Sequence, residues 1–458
     1  MVAKRYEVHD KADVKILGEG LAFRTSGRVA RNRFLKASMT ETLATWEREN
    51  LLNVGIPTEA LINLYDKWGH GGFGVVLTGN LIVDHLHLES AGNMVISKET
   101  WSEKKLEAYR RLAAVTKSDG ALAIAQISHG GRQAPDHLVP HPYAPSDVQL
   151  LGEKFGNHFG KPRVLTLEEI QTEVIDRFVF TAQKVYEAGF DGVELHGAHG
   201  YLLAQFISPQ TNLRDDRYGG SAEKRAQILV DIYNAIREKI PASTGFVIGI
   251  KLNSVEFQNH GLGLEDAVTT AKIVDATGFD FIEFSGGTYE HWALTAREST
   301  VKREGFFIQF TEAIKPHISN AVVYLTGGFR TAPGMVRAIK EGATDGIGIA
   351  RPATAEPDLP KKIITGKVQA AEFNPVENQF EQSYAIATTQ MGQAGTLPYA
   401  LCNGNPAYGI FDQSNEKELA AFFEEFTKYY LEKVEKFKAG EPPRGVCPYR
   451  TKNFAIKS

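Results

Sequence analysis

The segment HGAHGY places two imidazoles and a phenol within six residues, and these groups can do chemistry. His196 and His199 lie three residues apart, and Tyr201 follows two residues later. Imidazoles can bind a metal ion, donate hydrogen bonds and protons to a reacting molecule, or simply fill space. The segment differs from the helical HExxH zinc motif, because it closes a strand-like run and has no glutamate between its histidines. The secondary-structure elements around this segment indicate which of these three roles applies.

Short apolar runs alternate with helical stretches from about residue 30 to residue 366. The predicted strands are RFLKAS (33–38), FGVVLTGN (73–80), ALAIAQIS (121–128), DGVELHG (191–197), FVIGIKLNS (246–254), FIEFSGG (281–287), AVVYLTGG (321–328) and DGIGIARP (345–352). Eight strand–helix units predict an α/β fold of the (β/α)8 TIM-barrel type, because an open doubly wound sheet usually has five or six strands.

Polar residues occupy the last inward positions of several predicted strands, where barrel enzymes carry their catalytic groups. Thr40, Asn80, Gln126 and Lys251 stand at four of these ends. Such side chains suit the edge of a heteroaromatic ring and are poor ligands for transition metals, so we expect no metal site. The alternative is that they are interior polar groups that satisfy one another. The same parity directs Lys36, Glu194 and Glu283 toward the barrel axis, where we expect Lys36 to pair with a carboxylate.

Two glycine-containing segments are candidates for binding phosphate. LTGGFRTAPG places Gly327 and Gly328 at the end of the seventh strand, and GIGIARP places Arg351 at the end of the eighth. Barrels often bind phosphate there with backbone N–H groups and a cation, although turn glycines and a surface arginine would give the same pattern. GHGGFG (69–74) follows a helix and precedes a strand, so it is not a dinucleotide fingerprint.

Charge and composition exclude several classes of function. The net charge of -4 gives no reason to expect nucleic acid or an anionic membrane as partner. Cys402 and Cys447 are the only cysteines and lack a Cys-x-x-Cys spacing. No apolar run approaches the ~20 residues that span a bilayer, and the charged start has no signal-peptide core. We therefore expect a cytoplasmic protein.

The repeating pattern predicts a barrel over residues 1–366 and a C-terminal extension over 367–458. Residues 129–165, rich in Pro, His and Gly, predict a capping loop after the third strand. The extension contains an amphipathic helix that we expect to pack on the barrel or on a second subunit. In the second case the protein would be a homo-oligomer. Its apolar stripe consists of Leu419, Phe422, Phe423, Phe426, Tyr430, Val434 and Phe437.

The segment HGAHGYLLAQFISPQTNLRDDRYGGSAEKR resembles the loop after the fourth strand of the Old Yellow Enzyme family, flavin-dependent ene-reductases built on a (β/α)8 barrel. RNRFLKASMT, GFGVVLTGN, IAQISHGGR, GIKLN, LTGGF and GIARP also resemble family motifs and occur in family order. The resemblance covers about residues 15 to 366. It implies a tightly bound FMN and either NADPH or NADH as hydride donor.

The resemblance also implies a role for each matching residue. His196 and His199 would bind the substrate carbonyl, and Tyr201 would donate a proton. Lys251 would lie beside the flavin N1 and C2=O, and Thr40 near the C4 carbonyl. The remaining cofactor contacts would be Ala37, Ser38 and Met39 along the flavin, Asn80 and Gln126 at its polar edge, and Gly327, Gly328, Ala350 and Arg351 around the phosphate.

The implied reaction is ping-pong hydride transfer from NAD(P)H to an electron-poor alkene. The substrate would be a small molecule whose C=C bond is conjugated to a carbonyl group. On the same scaffold, nitro or nitrate-ester reduction or a pathway-specific oxidation is the alternative. Outside this class, a metal-dependent hydrolase or lyase and a flavin-binding protein without turnover are further alternatives.

Five positions depart from the family pattern, and they bear on redox tuning and substrate shape. Lys251 stands where many members have Arg, which keeps the charge but loses the bidentate contact. Ser38 replaces a usual Pro, Asn80 a small residue, and Ala350 a Gly. Thr42 falls where one branch has a substrate-contacting Tyr.

Overall fold

The eight predicted strands form a closed parallel barrel, which confirms the predicted fold class. The computed structural model describes residues 3–154, 156–253, 262–285, 311–442 and 444–450. The strands are β1 (Phe34–Lys36), β2 (Val75–Leu77), β3 (Leu122–Ser128), β4 (Gly192–Gly197), β5 (Val247–Asn253), β6 (Phe281–Ser285), β7 (Val322–Thr326) and β8 (Gly346–Ile349). Each pairs in parallel with the next, and β8 pairs with β1. Position 254 of the predicted fifth strand and positions 286–287 of the predicted sixth strand lie outside the described residues.

Helices follow the strands and cover the outside of the barrel. They are α1 (Glu59–Gly69), α2 (Glu103–Thr116), α3 (Asp176–Glu187), α4 (Leu202–Ile207), α5 (Ala222–Lys239), α6 (Leu264–Thr277), α7 (Ala332–Lys340), α8 (Pro352–Ala355) and α9 (Leu359–Ile364). Residues 311–314 are also helical. Thr58, Ser102 and Ser221 cap α1, α2 and α5 by accepting a backbone N–H with their side chains. Polar caps thus fix where these helices begin.

The interior of the barrel is filled by rings that lie against glycines. Phe281 and Tyr324 pack edge to face with ring centroids 5.8 Å apart. Gly249 is the register neighbour of Phe281, and Gly346 that of Tyr324. A Cβ at Gly249 would come within 2.1 Å of the Phe281 ring. Small residues therefore make room for large ones within one layer of the barrel.

Two helices of the C-terminal extension pack on the barrel. They are α10 (Phe380–Ala394) and α11 (Glu416–Lys438). Lys67 Nζ of α1 donates to Ala394 O, which fastens the end of α10. On α11, Leu419 and Phe422 are buried in a cluster with residues of α10, whereas Tyr430 is 51% exposed. The first half of the predicted stripe therefore packs within this chain.

The capping loop and the far end of α11 meet. The loop contains a two-stranded ribbon, Tyr143–Ala144 with Arg163–Val164. The ring of Phe437 lies against His137 of the loop, with centroids 5.1 Å apart. In the described parts of the chain, no helix combines the length and the hydropathy needed to cross a bilayer.

We predict that Gly249→Ala lowers the free energy of unfolding by about 1–3 kcal/mol, because the new methyl group overpacks the Phe281 layer. Urea denaturation measures this change. Gly263→Ala is the matched control, since no atom of the described residues lies within 4 Å of its added Cβ, and it should stay within about 0.5 kcal/mol of wild type. Equal stability of both variants would contradict the packing of the ring against Gly249.

Candidate active site

The carboxyl ends of the strands bring most of the predicted polar residues into one connected layer. The Ser38 hydroxyl donates to Gln126 Oε1 at 2.7 Å, and Gln126 Nε2 donates to Glu194 Oε2 at 2.7 Å. Lys251 Nζ lies 2.9 Å from Glu283 Oε1, and both side chains are buried. In register, Lys251 stands between His196 of β4 and Glu283 of β6. Side chains from β1, β3, β4, β5 and β6 thus meet at one end of the barrel.

Two carboxyl groups of this layer face each other. Burial, and then the negative charge of Glu283, raise the pKa of Glu194 well above its usual value. Glu194 Oε1 and Glu283 Oε2 receive no hydrogen bond from any other group in the described residues. A proton retained on Glu194 and donated to Glu283 satisfies both oxygens. The charge of Lys251 is then balanced by a single carboxylate.

The expected pairing of Lys36 with a carboxylate is wrong as a direct contact. Lys36 is fully buried, and its Nζ donates to Leu77 O at 2.8 Å and lies 4.0 Å from the centroid of the Trp68 ring. Among the described residues, no carboxylate lies within ion-pair distance. Burial lowers the pKa of Lys36 to about 7, and the charge of Glu41 opposes that shift. A carbonyl and an aromatic face therefore take the place of the expected anion.

His196 and His199 form a hydrogen-bonded chain with two serines. His196 Nε2 lies 3.0 Å from His199 Nδ1. His196 Nδ1 lies 3.0 Å from Ser128 Oγ, and His199 Nε2 lies 3.0 Å from Ser285 Oγ. As the rings stand, one inner nitrogen donates to the other, so only one of the two carries a proton. If each serine hydroxyl donates to the outer nitrogen of its histidine, both inner nitrogens carry protons instead, and one acceptor oxygen beside both could receive two N–H donors.

Both imidazoles are neutral over the physiological pH range. Burial, followed by the charges of His199 and Lys251, lowers the pKa of His196 well below its usual value. Burial, followed by the charge of Lys251, lowers the pKa of His199 to about 3. Neutral imidazoles beside a cation donate hydrogen bonds without adding charge to the site. This favours the binding of a polar oxygen over the binding of an anion at the histidines themselves.

The backbone after β4 turns sharply to bring Tyr201 next to the histidines. His199 and Gly200 have φ values of 61° and 78°, in the left-handed region. Two side chains hold the turn, since Asn253 Oδ1 accepts the His199 N–H at 3.2 Å and Gln133 Nε2 donates to His199 O at 3.0 Å. Tyr201 is the N-cap of α4, and its ring centroid is 4.6 Å from that of His196. A strained residue held in this way is typical of a functional turn.

Glu89 lies among the predicted flavin contacts, although no sequence pattern singles it out. Its Oε2 accepts from the Thr40 hydroxyl at 2.8 Å and from Asn80 Nδ2. Thr40 Oγ1 also lies 3.0 Å from Asn80 Oδ1. The sequence places Glu89 in a loop with no strand or helix pattern. Only the folded chain shows that it shares the donors of Thr40 and Asn80.

The predicted phosphate residues follow β7 and β8. Gly327 and Gly328 have φ values of 144° and 82°, a turn that side-chain-bearing residues rarely adopt. Just before them, the buried Thr326 Oγ1 has no hydrogen-bond partner in the described residues. Arg351 begins the turn into α8, and Ala350 is half-buried beside it. Together with the polar ring edge formed by Thr40, Asn80, Gln126 and Lys251, this donor set fits a flavin mononucleotide.

The His and Asp cluster beside this layer is not suited to a metal ion. Asp84, His87 and His129 lie within reach of a shared ion, which no other group in the described residues does. His87 Nε2 accepts the Tyr143 N–H at 2.9 Å, and His129 Nδ1 accepts the Gly131 N–H at 3.0 Å. The remaining ring nitrogens therefore carry protons directed at Asp84 Oδ2, 2.8 and 3.6 Å away. The lone pairs that a metal would need are already used.

Comparison with known proteins defines the class to which this barrel belongs. Residues 27–369 match the NADH:flavin oxidoreductase / NADH oxidase family. The NADH-dependent flavin oxidoreductase nadA of Aspergillus parasiticus is 42% identical over 389 residues, which cover 84% of this chain and 86% of that protein. The iliE protein of Hypocrea jecorina, also called an NADH-dependent flavin oxidoreductase, is 34% identical over 352 residues, which cover 73% of this chain and 85% of that protein.

A solved structure supports the fold independently. The Old Yellow Enzyme homologue from Zymomonas mobilis superposes with a TM-score of 0.63 at 23% identity, over 78% of this chain and 94% of that one. The protein is therefore a flavin-dependent oxidoreductase with a TIM-barrel fold. More particularly, the chain belongs to the Old Yellow Enzyme family, the NADH:flavin oxidoreductase / NADH oxidase family.

The depressed pKa of His199 predicts a contribution to acid instability. The folded pKa, about 3, lies below the unfolded value of about 6.5, so the unfolded chain binds a proton between these values that the folded chain does not. Stability therefore falls as the pH falls from about 6.5 to about 3. His199→Asn should reduce this pH-dependent decrease in the free energy of unfolding by up to about 1.4 kcal/mol per pH unit. Urea unfolding at a series of pH values measures it.

His141→Asn, at an exposed histidine of the capping loop, is the control and should follow the wild-type curve. If the pH dependence of His199→Asn parallels that of wild type, the burial of a neutral imidazole at position 199 is contradicted.

Proposed function

We propose that the protein binds FMN and uses NADH or NADPH to reduce the activated C=C bond of an α,β-unsaturated carbonyl compound. The observation that carries this proposal is the pair of neutral imidazoles, the buried His196 and the half-buried His199, whose facing nitrogens lie 3.0 Å apart, with the Tyr201 ring beside them. NADH is the favoured donor, because nadA and iliE, relatives at 42% and 34% identity, are named as NADH-dependent. The substrate is a small molecule, and the reaction takes place in the cytoplasm.

The residues at the mouth of the barrel would hold FMN by its two ends. Thr40, Asn80, Gln126 and Lys251 would bind the polar edge of its ring, and Arg351 with the turn at Gly327 and Gly328 would bind its phosphate. Bound FMN would supply hydride transfer between the nicotinamide and the substrate alkene. The chain itself must orient the substrate, stabilise its developing charge and deliver a proton.

The two histidines would bind the substrate carbonyl oxygen. Ser128 and Ser285, by donating to the outer ring nitrogens, would select the tautomers in which His196 Nε2–H and His199 Nδ1–H both donate to one acceptor. Negative charge that develops on that oxygen would be stabilised by both donors, and losing one donor of this kind typically costs about 3 kcal/mol of transition-state stabilisation. Because both rings are neutral, each would donate a hydrogen bond to the oxygen without transferring a proton to it.

Tyr201 would act as the general acid that protonates the α-carbon. Tyr201 is the N-cap of α4, and its ring lies beside that of His196. It is 4% exposed, so the proton it carries is shielded from exchange with bulk water. A phenol can protonate a carbanion-like carbon because the acid remains neutral at pH 7.

The purified protein should be yellow, and anaerobic mixing tests the proposal in two stages. NADH should bleach the flavin absorbance near its visible maximum, and 2-cyclohexenone should then restore it with formation of cyclohexanone. A nitro compound and a nitrate ester are tested as alternative oxidants of the reduced flavin. Reoxidation by these alone would replace alkene reduction with the alternative chemistry, and a colourless protein that binds no FMN would refute the proposal altogether.

We predict that Tyr201→Phe slows reoxidation by the enone by about 100-fold and leaves reduction by NADH unchanged. Rapid mixing measures each half-reaction by the flavin absorbance. Tyr233→Phe is the matched control. Tyr233 lies on α5, away from the mouth, and its hydroxyl donates to Gly278 O just after α6. Equal slowing of both half-reactions in Tyr201→Phe would show that the residue supports the site structurally and does not donate the proton.

A further inference from the structure

Ser383 of the C-terminal extension lies directly against Arg351. It belongs to the first turn of α10, beyond residue 369, where the match to the family ends. Its side chain is buried, at 1% exposure. Arg351 Nη1 donates to Ser383 Oγ at 2.7 Å, and Asn374 Nδ2 donates to the same oxygen at 3.1 Å. The guanidinium at the predicted phosphate site is thus positioned by a residue of the extension.

The hydrogen-bond valence of Ser383 leaves one donor unused. A serine hydroxyl has two lone pairs and one proton. Arg351 and Asn374 occupy both lone pairs, so the O–H can only donate. Within the part of the chain that the structure describes, no group accepts this proton. A buried hydroxyl beside a cation, with its oxygen already used twice as an acceptor, is suited to donate to an anionic oxygen.

The contact between α10 and the eighth-strand loop is a fixed one. Thr354 Oγ1 of α8 lies 2.8 Å from Arg351 O and 2.7 Å from Gln390 Oε1 of α10. Thr354 and Gln390 are buried. Two turns along the helix from Ser383, a second polar contact therefore holds α10 against the backbone of Arg351. Such double attachment pre-organises the Ser383 hydroxyl relative to the guanidinium.

We propose that Ser383 is a phosphate-binding residue, so that the C-terminal extension completes the site for the phosphomonoester of FMN. This inference rests on the proposed FMN cofactor. Arg351 supplies the cation, the glycine turn at Gly327 and Gly328 supplies backbone N–H groups, and Ser383 supplies a hydroxyl donor while fixing the direction of the guanidinium. The ligand group is a phosphate dianion, which accepts several charge-assisted hydrogen bonds at once.

Riboflavin lacks the phosphate and therefore isolates this contact. Apoprotein is titrated with FMN and with riboflavin, and binding is followed by the quenching of flavin fluorescence. Ser383→Ala should weaken FMN binding by about tenfold or more, because hydrogen bonds to charged groups are among the stronger ones, and should leave riboflavin binding unchanged. Thr388→Ala is the matched control, since among the described residues its hydroxyl, on the same helix, bonds only to the carbonyls of Tyr384 and Ala385.

Ser383→Cys serves if the alanine variant fails to fold, because a thiol has nearly the same shape and is a weak donor. It should also lose affinity for FMN selectively. Equal losses for FMN and riboflavin, or no loss for either, would overturn the role of Ser383. If the wild-type apoprotein binds neither flavin, the proposed cofactor itself is wrong. If it prefers FMN and both Ser383 variants keep that preference in full, only this inference fails.

Discussion

The buried ion pair of Lys251 and Glu283 is the interaction on which the rest of the site depends. Both charges lie inside the barrel with side chains at most 3% exposed, so neither can be solvated by water. Removing one partner of such a pair leaves an uncompensated charge, which is strongly destabilising. The strands must therefore hold both residues in register, and β5 and β6 do so by direct pairing of the two positions. The stability of the barrel therefore requires this pairing, whatever the polar layer does in the site.

The same burial determines the properties of the histidines. Because the two side chains are withdrawn from solvent and Lys251 is near, the pKa values of His196 and His199 lie below their usual value, and neither takes up a proton at physiological pH. In open solution, imidazoles would titrate near pH 6.5 and bind anions when protonated. Enclosure therefore turns a titrating pair into two fixed hydrogen-bond donors. Water exclusion, charge and donor direction are three consequences of one packing arrangement.

The sequence predicts the barrel well because each strand records its own burial pattern. Alternating apolar and polar residues give the strands and their inward parity, and the resemblance adds expected roles for Thr40, Gln126 and Lys251. The sequence does not show which groups meet across the mouth. Ser128, Ser285 and Glu89 are distant along the chain from the residues they contact, and no local pattern marks them.

Lys36 illustrates the same limit in its own surroundings. Parity gave the wrong direction for Lys36. Its side chain points away from the barrel axis toward Tyr65 and Trp68 of α1, where a carbonyl and the Trp68 ring are its contacts. A buried ammonium needs acceptors of electron density rather than a formal anion, and an aromatic face is one of them. Lys251 differs because it has a carboxylate in register, and the proton held on Glu194 keeps a second negative charge out of the layer. The Lys at position 251, where many family members have Arg, therefore matches the presence of Glu283 and Glu194 beside it. A compact ammonium can contact one carboxylate oxygen from the next strand, whereas a guanidinium would need two acceptors in its plane.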